Sequence, residues 1–191
     1  MIKTGLFFGS FNPIHIGHMA IANYMLEFGG IEQLWFIVSP QNPLKEKKTL
    51  LADYHRLELV RRAIGDDDRF EVSDIEFKMP RPSYTIDTLA YLGEKYPGRT
   101  FFLVMGADGL PTFHKWKNPD LLAEKYHRLV YPRPGIDHSE LKKHANITLV
   151  DAPLMDISSS FIRESIKAGK DLKYFMPPET YKYLREMHFY E

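Results

Sequence analysis

The sequence predicts an α/β protein: a doubly wound, mostly parallel sheet with a small C-terminal helical part. Three observations carry that expectation. Short apolar runs rich in aromatic and β-branched residues recur along the chain, helical patterns fall between them, and Gly, Pro and Ser mark the junctions. Strand and helix in alternation imply parallel pairing through right-handed crossovers, and ligands in such sheets sit at the carboxyl ends of the strands.

The first run, Ile2 to Phe8, stops at Gly9 and Ser10 and gives way to a helix predicted over Ile16 to Phe28. Its pattern puts Ile16, Ala20 and Tyr24 on one face, with Ile21, Met25 and Phe28 beside it, and Gly29 and Gly30 end it. Gln33 to Val38 is the second strand. Pro40, Pro43 and the lysines Lys45, Lys47 and Lys48 mark Ser39 to Leu51 as a rim or lid loop. A helix over Asp53 to Ile64 leads to a third strand, Phe70 to Ser73, and Pro80 and Pro82 make Phe77 to Pro82 a second irregular stretch. A helix over Ser83 to Lys95 precedes the strand Thr100 to Met105, and one over Pro119 to Lys125 precedes Arg128 to Tyr131. Ile147 to Val150 is the last strand, followed by helices over Ser158 to Ala168 and Pro178 to Met187. Residues 1–191 read as one domain, its C-terminal helical part beginning near residue 152.

Lys plus Arg balance Asp plus Glu at 25 each, so no global field recruits nucleic acid, and any anion must find a local site. The absence of cysteine removes disulfides, thiolate metal sites and cysteine nucleophiles together. No stretch approaches the roughly 18 apolar residues of a membrane helix. A cytoplasmic location is the expectation.

The segment Gly9 to His18, "GSFNPIHIGH", lies where the first strand gives way to the first helix. Gly9 and Ser10 let backbone approach a ligand, and the helix start offers unpaired N–H groups and the positive end of a dipole, which suits phosphate. His15 and His18 share a helix face and can reach one anion, with Gly17 taking no room between them. From the residues alone the pair can equally cap and decorate a helix; zinc lacks a third and fourth ligand at sensible spacing. A second such helix start is Ile157 to Arg163, "ISSSFIR". Ser158, Ser159 and Ser160 can cap it, and Arg163 one turn in is a permanently charged fork for phosphate oxygens, although a plain Ser-capped surface helix reads the same.

These two segments resemble the HxGH and ISSSxIR signatures of the adenylyl- and cytidylyltransferase superfamily, which implies its Rossmann-like nucleotidyltransferase fold. Lys45 in "SPQNPLKEKK" resembles that superfamily's phosphate-binding loop lysine, with Lys47 and Lys48 nearby. Three further segments resemble the bacterial nicotinate-mononucleotide adenylyltransferases: "SYTIDTL" at Ser83 to Leu89, "GADGLPTFHKW" at Gly106 to Trp116 and "YPRPG" at Tyr131 to Gly135. The likeness runs nearly end to end. The residues themselves are compatible with it. A helix start at "SYTIDTL", with Ile86, Leu89 and Ala90 toward the core, has spare N–H donors that suit a carboxylate and would leave an amide's NH2 unsatisfied. Gly106 and Ala107 are small residues at a strand end where adenine or ribose can lie close to backbone, and Asp108 can accept from ribose hydroxyls. Phe113 and Trp116 can plate a pyridinium ring or simply fill core, Trp116 being expected in a loop.

The resemblance implies transfer of AMP from ATP to nicotinate mononucleotide, giving deamido-NAD and pyrophosphate in NAD biosynthesis. Its partners would be those two nucleotides, with Mg2+ accompanying ATP and neither a tightly bound cofactor, a nucleic acid polymer nor a membrane. Monomer and homo-oligomer both stay open. It implies His15, His18 and Arg163 as catalytic residues. ATP would be held by Gly9, Ser10, Phe11, Lys45, Gly106, Asp108, Ser158, Ser159 and Arg163, and the mononucleotide by Ser83, Tyr84, Thr85, Phe113, Trp116 and Arg133, with no protein metal ligand. The 5'-phosphate is already an anionic nucleophile, so catalysis needs positioning and charge neutralisation and no general base. Asn12 stands where many relatives carry Asp; it weakens an electrostatic role and serves equally in shaping a turn. Phosphopantetheine adenylyltransferase shares both signatures but lacks the two middle elements. A regulatory module without turnover sits badly with the complete set of His15, His18, the serine cap and Arg163, and a dinucleotide-dependent dehydrogenase lacks G-x-G-x-x-G after the first strand.

Overall fold

The structure is a computed structural model describing residues 1–40, 50–136 and 146–191. Among them, β1 (Ile2–Gly9), β2 (Gln33–Val38), β3 (Phe70–Ser73), β4 (Arg99–Gly106), β5 (His127–Tyr131) and β6 (Ile147–Leu149) form one sheet in the order β3-β2-β1-β4-β5-β6. Every neighbouring pair is parallel. The order runs outward from β1 on one side and from β4 on the other, so the winding reverses between those two strands. Their carboxyl ends are where such a sheet opens a crevice. Gly9 pairs with Val38, and Gly106 with Tyr131, which lines four strand ends along one edge.

Helices α1 (Ile16–Phe28), α2 (Asp53–Ile64), α3 (Thr85–Lys95), α4 (Pro119–Lys125), α5 (Ser159–Lys167) and α6 (Pro178–Glu186) cover the sheet. Alternation along the central strand feeds two cores. Phe7 joins Phe11, Ile14, Met25, Leu59, Ile162 and Leu184 on one face, while Leu6 joins Trp35, Leu89, Leu103 and Leu122 on the other. Helices α2 and α6 meet through Thr180, whose hydroxyl donates to the carbonyl of Leu59 at 3.1 Å.

The structure differs from the sequence expectation in detail. In α1 the buried stripe is Gly17, Ile21, Ala22 and Met25; Ala20 is exposed, and Phe28, 68% exposed, stacks on Tyr24 at 4.4 Å instead. Ala90 of α3 also faces outward. Short 3-10 segments occupy Ile75–Lys78, Ala107–Lys115 and Lys173–Phe175, where irregular chain is expected. Among the described residues no helix is long and apolar enough to cross a membrane.

Candidate active site

At the carboxyl edge of the sheet a small hollow open to solvent is lined by Phe7, His15, Gly17, His18, Ile21, Tyr131, Arg133, Met155 and Ile157. The turn from β1 to α1 builds one wall. Phe11 holds a left-handed backbone, φ 45°, which is costly for a residue with a side chain. Its ring is 2% exposed and packs edge-on against Phe7 and Phe36. A Cβ on Gly9 would stand 2.8 Å from that ring. The Phe11 ring thereby fills the space over Gly9.

His15 caps α1 in extended conformation and is 4% exposed. Its Nδ1 is buried without a hydrogen-bond partner among the described residues. Burial, and next the charge of Arg133, lower its pKa to about 4, so the ring is neutral near pH 7; a bound polyanion would draw it upward. The ring of His18 lies 3.7 Å away, centroid to centroid. Nδ1 of His18 accepts the N–H of His15 at 3.3 Å, which assigns the proton of the neutral His18 ring to Nε2. A Cβ on Gly17 would meet His15 Nδ1 at 3.0 Å. That glycine makes room for the histidine ring.

The start of α5 docks onto the same turn. Ser158 Oγ caps the helix, accepting the N–H of Phe161 at 3.1 Å. Ser159 Oγ donates to the carbonyl of Pro13 at 2.9 Å, and Arg163 Nη1 donates to the carbonyl of Asn12 at 2.8 Å. The two motifs, far apart in sequence, are stitched together. The stitching uses the Ser159 hydroxyl proton and part of the Arg163 fork. Lys45 lies outside the described residues.

Sequence reasoning missed the supports of this turn. Arg56, wholly buried, uses all five N–H groups: on the carbonyls of Leu51 (3.0 Å), Ser10 (2.7 Å), Ser39 (2.8 Å) and Pro40 (3.3 Å), and on Asp53 Oδ1 (2.6 Å). Its one signal was position, since Arg56 falls on the apolar stripe of α2 with Leu59 and Val60. Asn12 Oδ1 accepts from the Leu51 N–H at 3.1 Å and the Tyr190 hydroxyl at 2.6 Å. Asn12 therefore shapes the turn as an acceptor, a task an aspartate could also perform.

A second set of expected residues gathers on the other face of the sheet. Tyr84 caps α3 without a side-chain bond, so first-turn N–H groups of α3 have no intrahelical partner. The Ser83 hydroxyl donates to Glu76 Oε2 at 2.9 Å, and Thr88 donates to Oε1 at 2.8 Å. Lys117 pairs with Asp87 at 2.7 Å and lies 4.8 Å over the Tyr84 ring, tying the start of α3 to the neighbourhood of Trp116. The Phe113 and Trp116 rings are 5.4 Å apart at 39°, both half-buried against the second core. Trp116 is thus neither a freely exposed loop residue nor core. At Gly106 the carboxylate of Asp108 folds into the place of the missing Cβ. Asp108 Oδ1 pairs with Arg133 Nε at 3.4 Å. Arg133, expected among the mononucleotide residues, lines the histidine hollow and through Asp108 links the two halves.

The cytidylyltransferase-like family profile matches residues 6–165. The chain is 48% identical over 192 residues to a probable nicotinate-nucleotide adenylyltransferase of Flavobacterium johnsoniae, covering 100% of both chains. It is 49% identical to a probable nicotinate-nucleotide adenylyltransferase of Christiangramia forsetii, covering 99% of this chain and 98% of the other. Among solved structures, the Plasmodium falciparum nicotinic acid mononucleotide adenylyltransferase complexed with NaAD matches with a TM-score of 0.83 at 22% identity, over 100% of this chain and 98% of that one. At that identity the likeness speaks to the fold.

Proposed function

Because the chain belongs to the cytidylyltransferase-like family and, by its full-length likeness, to the nicotinate-nucleotide adenylyltransferases, we propose that it transfers AMP from ATP to nicotinate mononucleotide. The observation that carries the residue roles is the docking of Ser159 and Arg163 onto the turn that presents His15 and His18. An oxygen of the mononucleotide's 5'-phosphate attacks the α-phosphorus of ATP, the bond from that phosphorus to the bridging oxygen breaks, and pyrophosphate leaves with the electron pair. No proton need be removed from the nucleophile. The chain's work is to align two polyanions and meet the charge that develops.

In this reading His18 donates from Nε2 to a non-bridging oxygen of the α-phosphate. Neutral His15, Arg163 and Arg133 line the path of the phosphates, and Lys45 adds a cation from its loop. The pyridine ring lies against Phe113 and Trp116, its carboxylate taking N–H groups at the start of α3, around Tyr84 and Thr85. Those donors favour acid over amide. Mg2+ belongs to this reading as a companion of ATP's phosphates, neutralising part of their charge; among the described residues no three His, Asp or Glu side chains gather to hold it, and no step is routed through it. A cytoplasmic location belongs to the same reading.

The test is pyrophosphate release with ATP and either nicotinate or nicotinamide mononucleotide, measured side by side. Release with the acid well above that with the amide is expected. Release with neither overturns the proposal.

A further inference from the structure

The β1–α1 turn depends on a residue that none of its motifs contains. Asn12, 4% exposed, is where three distant parts of the chain meet. Its carbonyl accepts from Arg163 at 2.8 Å, and its Oδ1 accepts from the Leu51 N–H at 3.1 Å and from the Tyr190 hydroxyl at 2.6 Å. The last bond spans 178 residues of sequence and is at the short end for an O–H donor. Tyr190 reaches Asn12 from the segment after α6, whose backbone is left-handed at His188 (φ 52°) and again at Tyr190 (φ 67°). Two such conformations within three residues, neither at glycine, persist only where their surroundings over-determine them. Here the surroundings are visible: Phe189, 8% exposed, packs on His55 at 4.8 Å and on Tyr183 at 5.7 Å, which turns the next side chain inward onto Asn12.

We propose that Tyr190 is a positioning residue for the transfer reaction, its hydroxyl fixing the Asn12 amide and with it the carbonyl to which Arg163 is tied. The inference rests on reading the histidine turn and the start of α5 as one phosphate site. Tyr190 acts on the turn and does not touch substrate. Without its hydroxyl the ring still fills its place, Phe189 still packs, and Leu51 still donates to Asn12, so the fold survives. What loosens is the placement of His15 and His18 relative to Arg163, and misplacement on the scale of an ångström costs rate far more than binding.

Tyr190→Phe removes that hydroxyl alone. In steady-state pyrophosphate release kcat is expected to fall about tenfold while KM for each substrate stays within about twofold, with the melting temperature nearly unmoved. Added to Arg163→Met, which keeps an apolar stem but removes the donor to Asn12, Tyr190→Phe is expected to cost clearly less than it does alone. A kcat equal to that of the unsubstituted protein, or the same fold loss in both backgrounds, overturns the inference and leaves the adenylyltransferase reading standing. An unsubstituted protein that releases no pyrophosphate overturns both. If Tyr190→Phe melts far lower, Tyr190→Trp, which keeps a ring and a donor, must restore stability and most of kcat together; stability without kcat also overturns the inference.

Discussion

The phosphate half of the candidate site and its pyridine half are held in opposite ways. The first is stapled by hydrogen bonds that are buried or partly buried and mostly join distant parts of the chain: Arg56 to four carbonyls, Ser159 to Pro13, Arg163 and Tyr190 to Asn12. The second is closed by half-exposed aromatic rings and an ion pair at the surface, Lys117 with Asp87, of a kind worth well under about 1 kcal/mol; beneath them lie the buried side chains of Glu76, bonded to Ser83 and Thr88, and of Arg128 against the Phe113 ring. In the proposed reaction the two halves have different tasks. Donors that stabilise developing charge are effective only if they are already in place, because reorganisation at the moment of reaction is charged to the barrier. A stacked ring tolerates lateral shift, so its platform can be softer.

If that contrast is right, damage to the phosphate half shows in turnover and stability, and damage to the pyridine half in substrate affinity. The largest effect belongs to His18→Ala, which removes the donor along with the acceptor of the His15 N–H. We expect kcat to fall by about 10² to 10³, while ATP titrated calorimetrically still binds within a few-fold. Weaker binding with full turnover at saturation would show His18 serving the ground state only. Arg56→Met comes next. It keeps the apolar stem and strips the five bonds, leaving the carbonyls of Ser10, Ser39, Pro40 and Leu51 without their donor. A loss of about 3–5 kcal/mol is expected, seen as a melting temperature lower by roughly 10 °C in a chain of this size. A shift of a degree or two would mean that the staple is not what holds this turn.

The contrast also explains what the sequence could tell. Strands were legible because a buried strand must be apolar on both faces, and each run is short and closed by turn residues. The two motifs at the starts of α1 and α5 were picked out by their resemblance to a known family, because from the residues alone an anion seat and a plainly capped helix start read the same. Glycine was the ambiguous letter. Gly9, Gly17 and Gly106 each announce a close approach, but the sequence does not say by what, and the structure fills those places with Phe11, His15 and Asp108. Arg56 and Tyr190 were hidden for another reason. Their partners are a set of carbonyls and one amide oxygen whose convergence exists only after the sheet has formed, and no local pattern encodes that.

The smallest of the expected effects tests the softer half. Trp116 is half-buried beside Phe113, whose other neighbour is the guanidinium of Arg128, 5.0 Å from its ring. Removing the indole takes away one plate and leaves the rest of the segment in place, held by the bond from the Trp116 N–H to the Phe113 carbonyl at 3.0 Å. Loss of an aromatic stack is worth about 1–1.5 kcal/mol beyond buried area, so Trp116→Ala should raise KM for the mononucleotide roughly tenfold, with kcat and the KM for ATP within about threefold. Trp116→Phe should recover most of it, because a smaller ring still stacks. This is the reverse of the split expected for Tyr190→Phe, where kcat falls and both KM values hold, and the two variants measured in one assay set the halves against each other directly. Equal increases in both KM values for Trp116→Ala would place the indole in the architecture of the strand ends and out of the pyridine pocket.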